Sequence, residues 1–401
     1  MSGSPSDGER RKALASVYAL VVVDLIGFGI VLPILPFYAE SYGAGAVELG
    51  ALVTSYAAMQ MIFAPLWGRL SDRVGRRPVL LLTIAGTAVS LALLAMADSL
   101  LWIFAARIAA GAFAANVSVA AATITDLVPT EERARYLGLL GACFAVGFTL
   151  GPAIGAALVG FGESAPIFAA AALAALNWLA ALRYLKEPTT SRATQRESRS
   201  WWPKESRLQR MVVSSFFFAV AITQLETLFP FFMLDVYGWD ARQVAIVLVG
   251  MAVLTGAVQG GAVRPLVQRL GERRLWLLGT VLLIPSLALV PVAPSVALLA
   301  LPLAVASVGR GIAQPAMMAL TTRAADDAAQ GAALGAYQSA ASAARVIGPI
   351  TAGLLYAIDP LWPFLLASAA MSVVAALAVG HPPNEVGEPA DRLPLDVQGG
   401  P

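Results

Sequence analysis

Five ionisable side chains fall deep inside long apolar runs of this 401-residue chain: Asp24, Arg107, Glu226, Arg310 and Arg345. A charge surrounded by hydrocarbon is costly, so such residues pair, face water or take part in chemistry. Asp24 lies twelve residues beyond Lys12, about 18 Å along a helix, which places it near the middle of its run. A carboxylate there can alternate between protonated and ionised forms, which is what proton coupling requires; a permanent ion pair joining two helices is the other reading. Glu226 lies sixteen residues beyond Arg210, also well inside. Its expected partner is Arg310 or Arg345, at similar depth, because an unopposed buried charge is unfavourable. That group is either a static cluster or a direct participant in ligand binding or proton coupling. Arg107 stays charged at any relevant pH and cannot itself carry a proton, but it can answer Asp24 or face a ligand.

Other polar side chains share helical faces with these charges. Tyr56, Gln60, Phe63 and Trp67 form one such face, Arg310, Gln314 and Met317 a second, and Gln338, Ser342 and Arg345 a third. They can line a cavity; for the aromatic and Met residues, ordinary packing is the competing expectation. One cysteine, Cys143, and one histidine, His381, exclude a disulfide and a thiolate or histidine metal site. No phosphate-binding loop of the GxxxxGK[ST] type and no nucleophile with a base is present, so we expect no ATP hydrolysis, no enzyme, no metal and no cofactor.

The elements that position these residues follow from composition. With 58% hydrophobic and 13% charged residues, the chain cannot cover a water-facing surface, and lipid must take water's place. A formal charge of +2 leaves no nucleic-acid footprint. Apolar runs of about 20 residues, long enough for a hydrocarbon core of roughly 30 Å, give twelve expected spans: 14–40, 46–67, 78–97, 100–126, 136–160, 164–185, 211–236, 242–263, 275–293, 296–322, 331–357 and 361–380. Of the 27 Lys and Arg residues, 23 then fall on alternate loops and only Arg242 on the other side, which puts both termini in the cytoplasm by the positive-inside rule. The chain divides into a cytoplasmic segment 1–13, a six-helix bundle 14–186, a polar linker 187–209 with Trp201 and Trp202, a second six-helix bundle 210–380 and a tail 381–401 expected to be flexible. A shift of 194 to 197 residues lays Pro36 on Pro230, Arg73 on Arg269, Gly75 on Gly271 and Gly151-Pro152 on Gly348-Pro349, so the halves read as copies.

Several segments together resemble the major facilitator superfamily. Gly68-Arg-Leu-Ser-Asp72-Arg73-Val-Gly75-Arg76-Arg77, between spans 2 and 3, looks like its signature loop. The segment from Asp24 to Pro33, Arg107 with Gly111, and Gly147-Phe-Thr-Leu-Gly151-Pro152-Ala-Ile-Gly155 are similar to motifs of the twelve-span drug:proton antiporters, with tetracycline efflux the nearest branch. Ala156 stands where that last pattern prefers glycine. The resemblance covers about residues 14 to 380. It implies an all-α membrane protein of twelve helices in two pseudo-symmetric bundles. It also implies a conformational lock of Gly68, Asp72, Arg73, Gly75, Arg76 and Arg77 with Asp126, in which Asp72 meets a helix terminus of the other half. Gln268 stands in the place of Asp72 in the second half, so the lock is expected to be one-sided. Gly147, Gly151 and Gly155, every fourth residue, make a smooth face for a neighbouring helix, and Pro152 bends it; the resemblance alone links this face to antiport, as a seal against proton leak.

The expectation is a proton-coupled secondary transporter exporting a small amphipathic organic compound, drug or organic anion, by alternating access. Asp24 and Glu226 couple protons, and Tyr56, Gln60, Arg107, Arg310, Gln314, Gln338 and Arg345 face the substrate. Two acids against three arginines make an anionic or zwitterionic substrate as reasonable as a cationic one. A lipid or lysolipid flippase, and a symporter or uniporter of a small metabolite, share the architecture. Partners are a small molecule, protons and the bilayer, with a monomer expected; Arg-heavy basic usage and abundant Ala suggest a bacterial inner (plasma) membrane.

Overall fold

The computed structural model describes residues 7–129, 132–185, 187, 205–325 and 330–380. Most of the linker, with Trp201 and Trp202, and the tail from residue 381 lie outside them. The described residues form fourteen α-helices: α1 Asp7–Glu40, α2 Ala46–Val74, α3 Arg76–Ala95, α4 Leu100–Phe113, α5 Asn116–Leu127, α6 Arg133–Leu158, α7 Ala165–Tyr184, α8 Ser206–Tyr237, α9 Ala241–Ala257, α10 Val263–Leu270, α11 Glu272–Leu289, α12 Val296–Arg323, α13 Gln330–Tyr356 and α14 Trp362–Val379. Eleven helical stretches are long and apolar enough to cross a membrane. The helix α13 is outside that set although it has 27 residues, because Gln338, Ser339, Ser342 and Arg345 dilute its apolar character.

Two expected spans are interrupted. The run 100–126 is α4 and α5, parted at Ala114 (φ −76°, ψ 53°) and Ala115 (φ −111°, ψ 2°). The carbonyls freed there are claimed by α2: Trp67 Nε1 donates to Ala112 at 2.6 Å and Gln60 Nε2 to Ala114 at 3.0 Å. Irregular backbone at membrane depth persists only where protein satisfies it, and these two bonds do so. The run 242–263 is α9 followed by a π turn, Val258–Ala262, and then α10.

Helix α1 packs on α6 and α7, α3 on α4 and α7, and α2 on α4; beyond the linker, α8 packs on α13 and α14, α11 on α12 and α14, and α9 on α12. Contacts between these sets are led by α2 with α13 and α6 with α9. The turns at Gly75 (φ +106°) and Gly271 (φ +77°) need glycine and mark one end of the molecule, rich in arginine. At this basic end Arg77 donates to the carbonyls of Leu182 and Leu185 at the end of α7, and Arg273, 196 residues later, donates to those of Ala378 and Val379 at the end of α14. Each arginine closes the last turn of a helix whose carbonyls have no intrahelical partner.

At the opposite end α2 and α13 touch backbone to backbone. A Cβ on Gly50 would strike the Pro349 carbonyl and one on Gly353 that of Ala46, while Thr54 Oγ1 donates to Val346 at 2.9 Å. Two to three turns nearer the basic end, the same faces carry exposed Met61, Pro65, Gly335 and Ser339, so the two helices part there. The molecule is closed at one end and cleft toward the basic end.

The glycine face of α6 sets the position of α1. A Cβ on Gly147 would lie 2.5 Å from Leu25 Cβ, and one on Gly151 would lie 2.6 Å from the Gly29 backbone. Substitution Gly151→Ala is expected to cost about 1–3 kcal/mol by overpacking and to lower the melting temperature in detergent. Gly141→Ala, on the same helix with open space around it, leaves it unchanged or raises it; equal melting temperatures for the two variants would contradict this packing.

Candidate functional site

The central seam is built from α1, α2, α4, α5, α6, α8, α12 and α13. Asp24 faces it from α1, one residue before the Leu25 that rests on Gly147. It is half-buried, and its Oδ1 accepts from Asn116 Nδ2 at 2.7 Å. Asn116 opens α5 just past the interruption, so the break also brings the positive end of a half-helix to the carboxylate. The Asn116 side chain is 5% exposed and its own Oδ1 has no partner. Nothing in the sequence marked it, because the helix breaks at two alanines rather than at Gly or Pro.

Arg107 does not form an ion pair with Asp24. Its guanidinium lies over the Tyr56 ring, 4.3 Å from the centroid, a cation–π contact. Arg107 is 5% exposed and its Nε has no acceptor. Gly111, one turn on, permits this approach, since a Cβ there would strike the Tyr56 carbonyl. Phe28 stands 5.7 Å from Tyr56 and 5.9 Å from Phe148, which stacks on Phe144 at 6.3 Å. These rings form an aromatic floor beside the charges.

Across the seam, Glu226 Oε1 accepts from Arg310 Nη1 at 2.6 Å, with both side chains about one-third exposed. Arg345 is exposed and held by no hydrogen bond or ion pair. Its charge is felt by Glu226, Arg310, Tyr337 and, on the other half, Tyr56. Gln314 and Gln338 keep their amides unpaired. Gln60, expected to face a ligand, gives its amide N–H to the α4–α5 break, and so does the Trp67 indole N–H. Met317, on the face of Arg310 and Gln314, is fully buried in the core.

At the basic end, Arg76 binds Asp72 at 2.6 Å, Asp126 at 2.8 Å and Ser71 Oγ at 2.6 Å. Asp72 is 62% exposed. Glu187, just past α7, accepts from the backbone N–H groups of Arg76 and Arg77 at 2.6 and 2.9 Å, and its carboxyl occupies the space a Cβ on Gly75 would need. Gly68 has open space around it and Arg73 is exposed. In the second half, Arg323 binds Glu272 at 2.8 Å. Glu272 is the repeat equivalent of Arg76 and Arg323 lies at the equivalent of Asp126, so the ion pair recurs with its polarity reversed. Gln268, in the place of Asp72, carries no charge; the pair that recurs is the counterpart of Arg76 and Asp126. Among the described residues no group of His, Cys, Asp and Glu is arranged to hold a metal ion.

Comparison with known proteins places this architecture. A family model described as Major Facilitator Superfamily matches residues 17–265 and 261–396. The chain is 32% identical to the class C tetracycline resistance protein of Escherichia coli over 359 residues, 86% of this chain and 90% of that protein. It is 26% identical to multidrug resistance protein 1 of Bacillus subtilis, covering 89% and 93%. Its fold is similar to that of the human organic anion transporter MFSD10, with a TM-score of 0.70 and 24% identity over 92% of this chain and 99% of that one. With family model, relatives and fold in agreement, the chain belongs to the major facilitator superfamily, among its drug:proton antiporters, and is a multi-pass membrane transporter rather than an enzyme.

Proposed function

We propose that the chain exports small amphipathic organic compounds in exchange for protons, through the seam between two six-helix bundles that opens to each side of the membrane in turn. Twelve spans result when α4 with α5 and α9 with α10 each count as one crossing and α13 is the twelfth. The arginines of the basic end then lie in the cytoplasm with both termini, in a bacterial plasma membrane, and each half carries its own bundle, so a monomer suffices.

The observation that carries this reading is the setting of Asp24. It lies at membrane depth beside an open seam, and its partner is a neutral amide rather than a cation. A carboxylate locked to an arginine keeps its charge; one held by Asn116 and a helix end can take a proton and release it. Proton uptake at Asp24 from outside and loss to the cytoplasm would reset the carrier after the exported compound leaves. The glycine face of α6 keeps α1 close while this happens and closes the path between the helices to water.

The cleft toward the basic end is the loading state in this scheme. Closing it brings the loop of Asp72 against the second half, and Arg76, bound to Asp72 and Asp126, keeps that loop in shape. The names of its relatives make tetracycline a reasonable first substrate to assay.

In everted vesicles, Asp24→Asn is expected to abolish tetracycline accumulation driven by a pH gradient while the protein still folds and inserts; unchanged accumulation would refute the role of Asp24. Asp72→Asn is expected to raise the population open toward the basic end. Double electron–electron resonance between labels on α2 and α13 at that end reads this as longer distances, and an unmoved distribution counts against the lock.

A further inference from the structure

Two adjacent helices of the second half are weakened at one depth, and the weak points touch. The run of α9 passes into the π turn Val258–Ala262, where Gly260 and Gly261 have open space around them. In α12, Pro315 offers no N–H to the Gly311 carbonyl, so a rung of that helix is missing, and Gly311 is itself a poor helix former. A Cβ on Gly311 would lie 2.9 Å from Val258 Cγ1, which sets the start of the π turn against the missing rung. Away from the basic end both helices are pinned. Thr255 Oγ1 donates to the Ser307 carbonyl at 3.3 Å, and a Cβ on Gly309 would meet the Gly279 carbonyl of α11 at 2.8 Å. Toward the basic end, α10 is an eight-residue helix that stops at the Gly271 turn, and the last turn of α12 is held to α11 through Arg323 and Glu272, with Arg323 59% exposed.

The internal repeat marks both points as special. The halves are offset by 194 residues at Pro36 and by 196 at Gly75, so the second half holds two extra residues before Gly271, and a π turn is how a helix absorbs one. The offset of 196 to 197 lays the break at Ala114 and Ala115 on Arg310 to Ile312. The first half is thus broken where the second is continuous but weak.

We propose that α10 and the turns of α12 beyond Gly311 bend together about this line, as a gate that closes the basic-end cleft from the second half. Helices α11 and α14 keep their places, joined by Arg273 to the carbonyls of Ala378 and Val379 and by Ser368 to that of Ile284. The Glu272–Arg323 pair holds the arm of α12 in its present position and parts when the arm swings. Two bundles that rock as rigid bodies keep every distance within a half, so this motion is additional to rocking; it rests on the alternating reading only for the existence of a second state. From Gly311 to Ala324 the arm is about 20 Å long, and a bend of about 20° moves its tip by about 7 Å.

The test uses the full chain in lipid nanodiscs with Cys143→Ala and spin labels on Ala324→Cys, just past α12, and Val379→Cys, at the end of α14. Electron–electron distances are read at acidic and alkaline pH, with and without tetracycline. A change of condition is expected to shift this within-half distance by about 7 Å, the tip movement of the bent arm. Pro315→Ala, which restores the missing N–H, abolishes the shift, whereas Pro302→Ala, in the same helix but off the line, keeps it and so separates the hinge from proline loss in general. A second pair of labels, on α2 and α13 at the basic end, judges the alternating reading by itself. Movement of that pair with the within-half distance fixed overturns the gate, and so does a within-half shift that survives Pro315→Ala. Movement of the within-half pair alone supports the gate and removes the rocking of the bundles. If neither pair responds to any condition, the alternating reading falls and the gate with it.

Discussion

The fold is governed by the cost of holding a charge where neither water nor a counter-ion is close by. Each ionisable group of the seam meets that cost differently. Glu226 and Arg310 cancel one another. Arg107 leans on an aromatic face, Asp24 on an amide and a helix end, and Arg345 on the open cleft. Only the first arrangement is self-sufficient. The other three leave a site that ligand, proton or water must complete, and a transporter needs such incompleteness because a fully satisfied cluster would have no reason to change state.

Backbone geometry serves that arrangement. Without the glycine face of α6, Asp24 would stand further from α5, and without the break at Ala114 and Ala115, Asn116 would have no half-helix to open. The break in turn depends on Gln60 and Trp67 to satisfy its carbonyls. A chain of local requirements thus runs from small residues on two helices to one hydrogen bond on the Asp24 carboxylate.

Much of this could be read from the sequence. Apolar length located the eleven stretches apolar enough to cross a membrane, charge at depth singled out Asp24, Glu226 and the three arginines, and spacing exposed the small-residue face of α6. The Glu226–Arg310 pairing was narrowed to two candidates but not chosen, since Arg310 and Arg345 have the same depth and differ only in which way their helices face. Asn116 was invisible because its importance comes from an interruption with no glycine or proline to announce it. Gln60 and Trp67 share a face of α2 as their spacing implied, but side-chain polarity does not say whether a partner is a ligand or a neighbouring carbonyl.

The reversed polarity of the two basic-end ion pairs bears on assembly. The two halves, which read as copies in sequence, must emerge, insert and pack beside one another without exchanging parts. Were α3 to settle on α12, Arg76 would confront Arg323; were α11 to settle on α5, Glu272 would confront Asp126. Like charges so placed repel, and specificity of this sort arises as much from penalising the wrong neighbour as from rewarding the right one. A chain whose two halves carry this pair with opposite sign has a means of telling its first half from its second.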